Sequence, residues 1–85
     1  MKIDKFYDEL ANIVKYHRKE SGLTQLQLAK LAGVGKSGVF DIEHKKKTVQ
    51  LKTLIDVLKV LNVNFDIISP LMGHYRKNQK YGQQE

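Results

Sequence analysis

The clearest hydrophobic pattern in the chain begins near residue 50. Five aliphatic side chains recur there at spacings of three and four residues: Leu51, Leu54, Ile55, Leu58 and Leu61. Because residues three and four apart share one face of an α-helix, this spacing predicts an amphipathic helix from about Gln50. A second stripe predicts a helix from Asp4 to about Glu20. Its members are Phe6, Leu10, Ile13, Val14 and His17.

Between these helices, residues 24–43 predict two short helices joined by a tight turn. Thr24 can cap the first helix, because its hydroxyl accepts a free backbone N–H. Gly33 tolerates a positive φ angle and is expected to end that helix. Val39 and Ile42 are expected to point from the second helix toward the first. The predicted buried face of the first short helix carries Leu28, Leu31 and Ala32.

The second short helix leaves a polar face exposed, with Lys36, Ser37, Phe40 and Asp41 on it. A short helix that is held rigidly and exposes its N-terminal side chains is what a helix-turn-helix offers to the DNA major groove. The pattern of residues 24–43 therefore predicts a DNA-binding unit.

After the last amphipathic helix, the hydrophobic period changes to two. Val63, Phe65 and Ile67 alternate with polar residues, and a Ser-Pro pair ends the segment, so residues 63–68 predict a β-strand. No second strand is evident in the sequence, and a lone strand leaves its backbone groups unpaired. Pairing with the same strand of a second copy predicts a two-fold homodimer through these three side chains. The alternative is an extended segment packed along the preceding helix.

Composition narrows the possible classes of function. The chain has 85 residues, enough for one small domain, and its 15 basic residues against 9 acidic ones give a net charge of +6. This charge favours a polyanionic partner, although a merely basic domain would carry it too. The absence of cysteine suits the cytosol. With no apolar run of membrane-spanning length and no signal-peptide core, we expect a cytoplasmic protein without a membrane partner.

No catalytic or metal-binding set of residues is evident. His17, His44 and His74 have neither ligand spacing nor neighbouring cysteines or carboxylate clusters. The Gly-Lys-Ser sequence at 35–37 imitates the end of a phosphate-binding P-loop, but Lys30 stands where that motif requires its first glycine. We therefore predict that the chain is not an enzyme and needs no cofactor or metal.

Several short motifs match one known family. They are Leu23-Thr24-Gln25, Leu28-Ala29, Leu31–Val34, Val39, Ile42, Glu43, Leu51, Thr53-Leu54, Leu58 and Leu61–Val63. Over about residues 10–63 the chain resembles the lambda-repressor/Cro-like (Xre) helix-turn-helix family. The resemblance implies an all-α domain of four or five helices, to which the chain adds one C-terminal strand for dimerisation. We expect this domain to span residues 1–72 and a basic, disordered tail to follow over residues 73–85.

The strand extension is similar to a narrower group, the HipB-like antitoxins. In that group the strand dimerises the repressor, and the partner is a HipA-type kinase toxin. The resemblance therefore implies a repressor of double-stranded DNA with an inverted-repeat operator, acting as the antitoxin of an autoregulated operon. The alternative from another class is a protein-interaction module that keeps the helix-turn-helix fold and neutralises a partner without reading DNA.

The family pattern also implies which residues contact DNA. It assigns Gln25 to a phosphate at the start of the first short helix. Lys36, Ser37 and Asp41 fall at base-reading positions, with Phe40 beside them. Lys can donate to guanine, Asp can accept from cytosine N4, and Phe can contact a thymine methyl. The remaining predicted DNA contacts are Gly38 on the recognition helix and the loop lysines Lys45, Lys46 and Lys47.

Other roles compete with these assignments. Phe40 could fill a core or partner pocket, Asp41 could pair with a nearby lysine, and Lys45–Lys47 could be a solvated loop. Gly38 either lets the backbone approach DNA closely or leaves the recognition helix soft. Lys45 occupies the place of a glycine common in the family. The resemblance also pairs Arg18 with Glu43, in an ion pair that braces the first helix against the recognition helix.

Overall fold

A computed structural model describes residues 3–78 of the protein, and this part of the chain contains five α-helices. Their bounds are Ile3–Glu20 (α1), Gln25–Ala32 (α2), Lys36–Glu43 (α3), Leu51–Val60 (α4) and Met72–Lys77 (α5). Helices α1 to α4 enclose one hydrophobic core. Its most deeply buried side chains are Val14, Leu28, Val39 and Val57. The all-helical fold predicted from the sequence is therefore confirmed in the described residues. None of these helices has both the length and the apolar character to cross a membrane.

The two ends of α2 are fixed by the residues that the sequence predicts. The Thr24 hydroxyl accepts a hydrogen bond from the backbone N–H of Gln27 at 3.1 Å, and the side-chain oxygen of Gln27 accepts one from the Thr24 N–H at 2.8 Å. This reciprocal pair forms a capping box. At the other end, Gly33 has a φ of 70°, and the N–H of Val34 donates to the carbonyl of Ala29 at 2.9 Å. The turn that follows therefore has a fixed geometry.

Two predicted core leucines are exposed instead. Leu31 is 63% exposed, because the buried line of α2 runs between Leu28 and Ala29. At about 100° per residue, Leu31 lies about 100° from the centre of that line. Leu51 is 61% exposed because α4 begins there, beyond the edge of the core. Conversely, the stripe predicted for α1 omits Ala11, which is buried.

Gly38 lies where α3 packs against α4. A β-carbon at this position would lie 2.9 Å from Cγ2 of Thr53, which is closer than such atoms normally approach. The missing side chain therefore faces α4 and the side chain of Val34 rather than the exposed face of α3. The lack of a side chain at Gly38 therefore allows close packing between two helices. Its contact with DNA stays a prediction.

Residues 63–68, between α4 and α5, form neither a helix nor a strand, so the strand predicted for them is not present as such. A strand is completed by hydrogen bonds to a neighbour, and a single copy of the chain supplies none. Val63 packs against the core of its own chain, and its N–H donates to the carbonyl of Leu58 at 3.0 Å.

Helix α5 lies where the sequence predicts the start of a disordered tail at Gly73. The N–H of Met72 donates to the carbonyl of Ser69 at 3.1 Å, and that of Tyr75 donates to the carbonyl of Leu71 at 3.0 Å. The Ser-Pro pair thus begins a turn that leads into a helix. The part of the predicted tail at residues 79–85 lies outside the described residues, and the domain boundary at residue 72 stays a prediction.

The packing at Gly38 predicts that the effect of Gly38→Ala depends on residue 53. Alanine favours a helix interior by up to about 1 kcal/mol over glycine, but here its methyl group would press on Thr53. We expect Gly38→Ala to lower the free energy of unfolding by about 1 kcal/mol in the natural chain. In a Thr53→Ser background it should raise that free energy by about 0.5–1 kcal/mol. Urea unfolding of the four chains measures both effects, and equal effects in the two backgrounds would contradict the packing argument.

Candidate nucleic-acid interface

Helix α3 has a buried face and an exposed face. Val39 and Ile42 are buried on the inner side. Three side chains at spacings of three and four residues, Lys36, Ser37 and Phe40, are exposed on the outer side. This distribution agrees with the one predicted from the sequence. The outer surface of α3 is therefore free of the chain's own core.

Both short helices begin with backbone N–H groups that have no acceptor among the described residues. The capping box of α2 engages the N–H of Gln27, but within residues 3–78 those of Gln25 and Leu26 have no acceptor. Helix α3 begins after Gly35, which offers no side-chain cap. Free N–H groups and the helix dipole make each N-terminus a favourable position for an anion such as a phosphate.

The ion pair between Arg18 and Glu43 is present and bidentate. Arg18 Nε lies 2.6 Å from Glu43 Oε2, and Arg18 Nη2 lies 3.0 Å from Glu43 Oε1. The two side chains are only 10% and 2% exposed. Arg18 Nη1 also donates to the carbonyl of Leu23 at 2.8 Å. Because Arg18 lies near the end of α1 and Glu43 is the last residue of α3, this pair fixes the C-terminal end of α3 against α1.

The ionisation of the pair follows from this geometry. Burial by itself raises the pKa of the Glu43 carboxyl, but the hydrogen bonds from Arg18 and Gln25, with the positive charge of Arg18, hold that pKa below its ordinary value. The hydrogen bond with Glu43 raises the pKa of Arg18 above its ordinary value. Both groups are therefore charged at neutral pH.

Gln25 joins the same cluster from α2. Its Nε2 donates to Glu43 Oε1 at 3.2 Å, so Glu43 contacts side chains from two other helices. The family resemblance assigns Gln25 to a DNA phosphate, and the structure gives it a contact within the protein. The two roles are compatible, because a side-chain amide nitrogen carries two hydrogens and Glu43 accepts only one of them.

The loop after α3 is held against α1 by contacts at its lysines. Lys45 Nζ lies 3.5 Å from Asp8 Oδ1, and the Tyr7 hydroxyl donates to the Lys47 carbonyl at 3.3 Å. Lys45 has a φ of 65°, the left-handed conformation that glycine favours. This explains why a glycine is common at this position of the family and fixes the path of the loop.

Asp41 lies at the edge of the exposed face of α3. Its Oδ2 lies 3.5 Å from Lys46 Nζ, so the pairing with a nearby lysine that competes with base reading is present. Phe40 is 45% exposed and therefore does not fill a core pocket. Its ring instead stacks on the imidazole of His44, a residue that the sequence analysis leaves without a role. Because residues four apart share one face of a helix, the spacing of Phe40 and His44 is the sequence feature that could have predicted this contact.

Comparison with known proteins identifies the fold. The helix-turn-helix family model HTH_3 matches residues 14–68 of the chain. The chain belongs to this helix-turn-helix family. The uncharacterized HTH-type transcriptional regulator y4mF of Sinorhizobium fredii is 38% identical over 69 residues, which cover 81% of this chain and 88% of the regulator. The control protein C.SmaI of Serratia marcescens is 36% identical over 55 residues, which cover 65% of this chain and 66% of that protein.

Solved structures of similar fold include HipB complexes. A chain of the HipA-HipB-O2-O3 complex matches with a TM-score of 0.66 and 26% identity, covering 75% of this chain and 90% of its own. A chain of a complex between a HipB variant and an O2 20mer has the same score and identity and covers 75% and 89%. The predicted resemblance to lambda-repressor-like proteins is thus confirmed. The chain is a helix-turn-helix transcriptional regulator rather than an enzyme, and y4mF, which it matches over most of its length, is named as one.

The buried ion pair predicts a specific loss of stability on acidification. The lowered pKa of Glu43 means that its stabilising effect is complete above the ordinary carboxyl pKa and is lost as the pH falls through the folded-state value. Glu43→Gln leaves Arg18 without its counter-charge, so we expect the free energy of unfolding at pH 7 to fall by about 3–5 kcal/mol. The variant should also lose less stability below pH 5 than the natural chain does.

Urea unfolding at a series of pH values from 7 to 3 measures both effects. The matched control is Asp56→Asn, which removes a partly exposed carboxylate that lies 2.7 Å from Nζ of the exposed Lys52. We expect that control to cost less than about 1 kcal/mol at pH 7. Similar losses in the two variants would contradict the proposed importance of the buried pair.

Proposed function

We propose that the protein is a sequence-specific DNA-binding repressor that autoregulates its operon as the antitoxin of a HipA-type toxin–antitoxin pair. The observation that carries the DNA-binding part is the outer face of α3. Lys36, Ser37 and Phe40 are exposed there, while the inner face and the C-terminal end of the helix are held by the core and by Glu43. A helix held in this way can enter the major groove without rearrangement of the domain.

The exposed side chains have chemistry suited to base edges. Lys36 has no partner within residues 3–78 and can donate to guanine O6 or N7. Ser37 can donate or accept with little selectivity, and Phe40 can contact the methyl group of thymine. Asp41 can accept from cytosine N4 once it exchanges its contact with Lys46 for the base. Sequence specificity would therefore come mainly from one turn and a half of α3.

The phosphate contacts would surround this helix. We assign them to Gln25, through its second amide hydrogen, and to the lysines of the loop at residues 45–47. Lys45 and Lys46 are paired with carboxylates at 3.5 Å in the free protein, distances at which exposed pairs are weak. Phosphates can replace those carboxylates at small cost. Contacts of this kind set the register on DNA, whereas the side chains of α3 carry the sequence information.

The segment after α4 supports a homodimer. Within residues 3–78, the backbone N–H groups of Asn64, Phe65, Asp66 and Ile68 have no acceptor, and the chain around them forms neither a helix nor a strand. Ile67 is 68% exposed. An unpaired row of backbone groups beside exposed apolar side chains favours pairing with the same segment of a second copy. Two recognition helices related by that two-fold axis would read an inverted repeat about one helical turn apart.

The three residues assigned to dimerisation would contribute unequally. Phe65 lines a cavity of about 190 Å³ between α1 and α4, together with Phe6, Leu10 and Leu58. Val63 packs against the core of its own chain. Ile67 therefore has the largest surface to offer to a partner copy, and Phe65 would contribute the part of its ring that the cavity leaves open.

The proposal of a kinase partner has a different basis. It derives from the likeness to a chain of the HipA-HipB-O2-O3 complex at 26% identity. The identity to the control protein C.SmaI is higher, at 36%, so regulation without a kinase partner is the second candidate. A reading frame for a HipA-like kinase next to this gene, and co-purification of the two proteins, would separate these candidates. A protein-interaction module that does not read DNA remains the alternative from another class.

We expect Lys36→Ala to abolish sequence-selective DNA binding, because it removes the side chain best able to donate to guanine. Replacing all three loop lysines by alanine should preserve selectivity. It should also make the slope of log K against log salt shallower by about 2.7 per chain. Gel shifts with the upstream promoter fragment and a scrambled fragment, at several salt concentrations, measure both effects.

Lys59→Ala is the matched control for the lysine variants, because Lys59 is exposed on the last turn of α4, away from the turn that packs on Gly38. It should change neither the selectivity nor the salt slope. If Lys36→Ala bound DNA like the natural chain while a protein partner was still captured, the protein-interaction alternative would be favoured.

The dimer is tested by Ile67→Lys. A lysine here would bring a charge into the proposed interface between copies, so we expect the sedimentation mass to fall from twice the 9.8 kDa chain to that of one chain. Asn64→Lys is the matched control, because side chains alternate along a strand and residue 64 would lie on the other side from Ile67 in the proposed pairing. It should remain a dimer. A natural chain that sediments as a monomer would remove the strand-paired dimer from the proposal.

A further inference from the structure

The apolar side chain of Phe40, on the outer face of α3, contacts the imidazole ring of His44. Its ring centroid lies 3.7 Å from that of His44, and the two ring planes are 18° apart. This is a stacked pair in which one face of the phenyl ring is covered and the other is free. Both residues are exposed, so the pair belongs to the surface rather than to the core.

His44 is itself held in place by the helix. Its Nδ1 lies 2.8 Å from the carbonyl oxygen of Phe40, which can only accept, so Nδ1 carries a hydrogen and donates it. The backbone N–H of His44 donates to the same carbonyl at 3.0 Å. The imidazole is therefore restrained both by a hydrogen bond and by the ring on which it stacks. A restrained neighbour reduces the number of rotamers open to Phe40 in the free protein.

We propose that His44 is a positioning residue for Phe40. It holds the phenyl ring so that its free face can receive the methyl group of one thymine in each operator half-site. The proposal rests on the proposed DNA-binding function. It adds that thymine is the preferred base at one position and that His44 is needed for this preference. Ordering Phe40 before binding lowers the entropy lost when the ring meets the base.

The surroundings of the pair favour DNA over an apolar protein surface as its ligand. Lys36 and Ser37 precede Phe40 by four and three residues and lie on the same face, and three lysines follow His44. A polyanion fits this basic, polar surround. The thymine methyl is the apolar group that the base edges present in the major groove, and an aromatic ring among polar side chains matches it.

The test removes that methyl group from one thymine at a time. The promoter fragment that the protein selects is prepared with each thymine replaced singly by deoxyuracil, and the dissociation constants are compared at fixed salt. For the natural chain, one position in each half-site should weaken binding about fourfold, the factor that corresponds to roughly 0.8 kcal/mol for one buried methyl group. The other positions should change binding by less than about twofold.

Variants of His44 then test whether this residue is needed for the preference for a thymine methyl group. His44→Ala should reduce the fourfold penalty to near one while the slope of log K against log salt stays unchanged, because no phosphate contact is lost. His44→Phe retains a ring that can stack and should restore the penalty. His44→Asn keeps a hydrogen-bond donor without the ring and should not restore it. Phe40→Leu tests the thymine contact itself without altering the end of α3, and it too should lose most of the penalty.

The outcomes separate this inference from the proposed function. Selective binding with no position sensitive to deoxyuracil would overturn the thymine contact and assign the Phe40 surface to a protein partner. A full penalty in His44→Ala would overturn the positioning role of His44. The absence of any sequence-selective binding would instead overturn the proposed function itself, before the deoxyuracil series is reached.

Discussion

The buried carboxylate of Glu43 is the point on which the arrangement of the helices depends. It ends α3, accepts two hydrogen bonds from Arg18 on α1, and accepts a third from Gln25 on α2. A buried carboxylate without these donors would be strongly unfavourable, so arrangements that separate the three helices leave a charge or a polar group unpaired. Apolar packing brings the helices together, and this cluster determines the relative position in which they stay.

That constraint matters because α3 has only eight residues. A helix of this length is marginal by itself, and most of its stability must come from tertiary contacts. Val39 and Ile42 hold its inner face, Gly38 lets it approach α4, and Glu43 holds its last turn. The outer face can consequently carry side chains chosen for recognition rather than for folding. Its one large apolar member, Phe40, is stabilised locally by His44.

Charge and apolar surface are separated along the chain. The lysines of the loop after α3 lie close to the carboxylates of Asp8 and Asp41, so part of the basic charge is balanced in the free protein. The segment between α4 and α5 instead exposes apolar side chains beside backbone N–H groups that have no acceptor within residues 3–78. In the proposed function, the basic surface would contact a polyanion and the apolar segment, at a different position, would contact a second copy of the chain.

The sequence by itself determined the helix-turn-helix, because local signals are strong there: Thr24 caps α2, Gly33 ends it, and apolar spacing marks the inner faces. The polar outer face of α3 followed from the same periodicity. Tertiary structure decided what local signals cannot contain. Leu31 is exposed because the direction of burial on a short helix depends on its neighbours, and Gly38 serves packing because α4 lies against it. The stack of His44 on Phe40 and the short helix α5 are local features that the sequence analysis did not predict, since their sequences also suit a solvated surface.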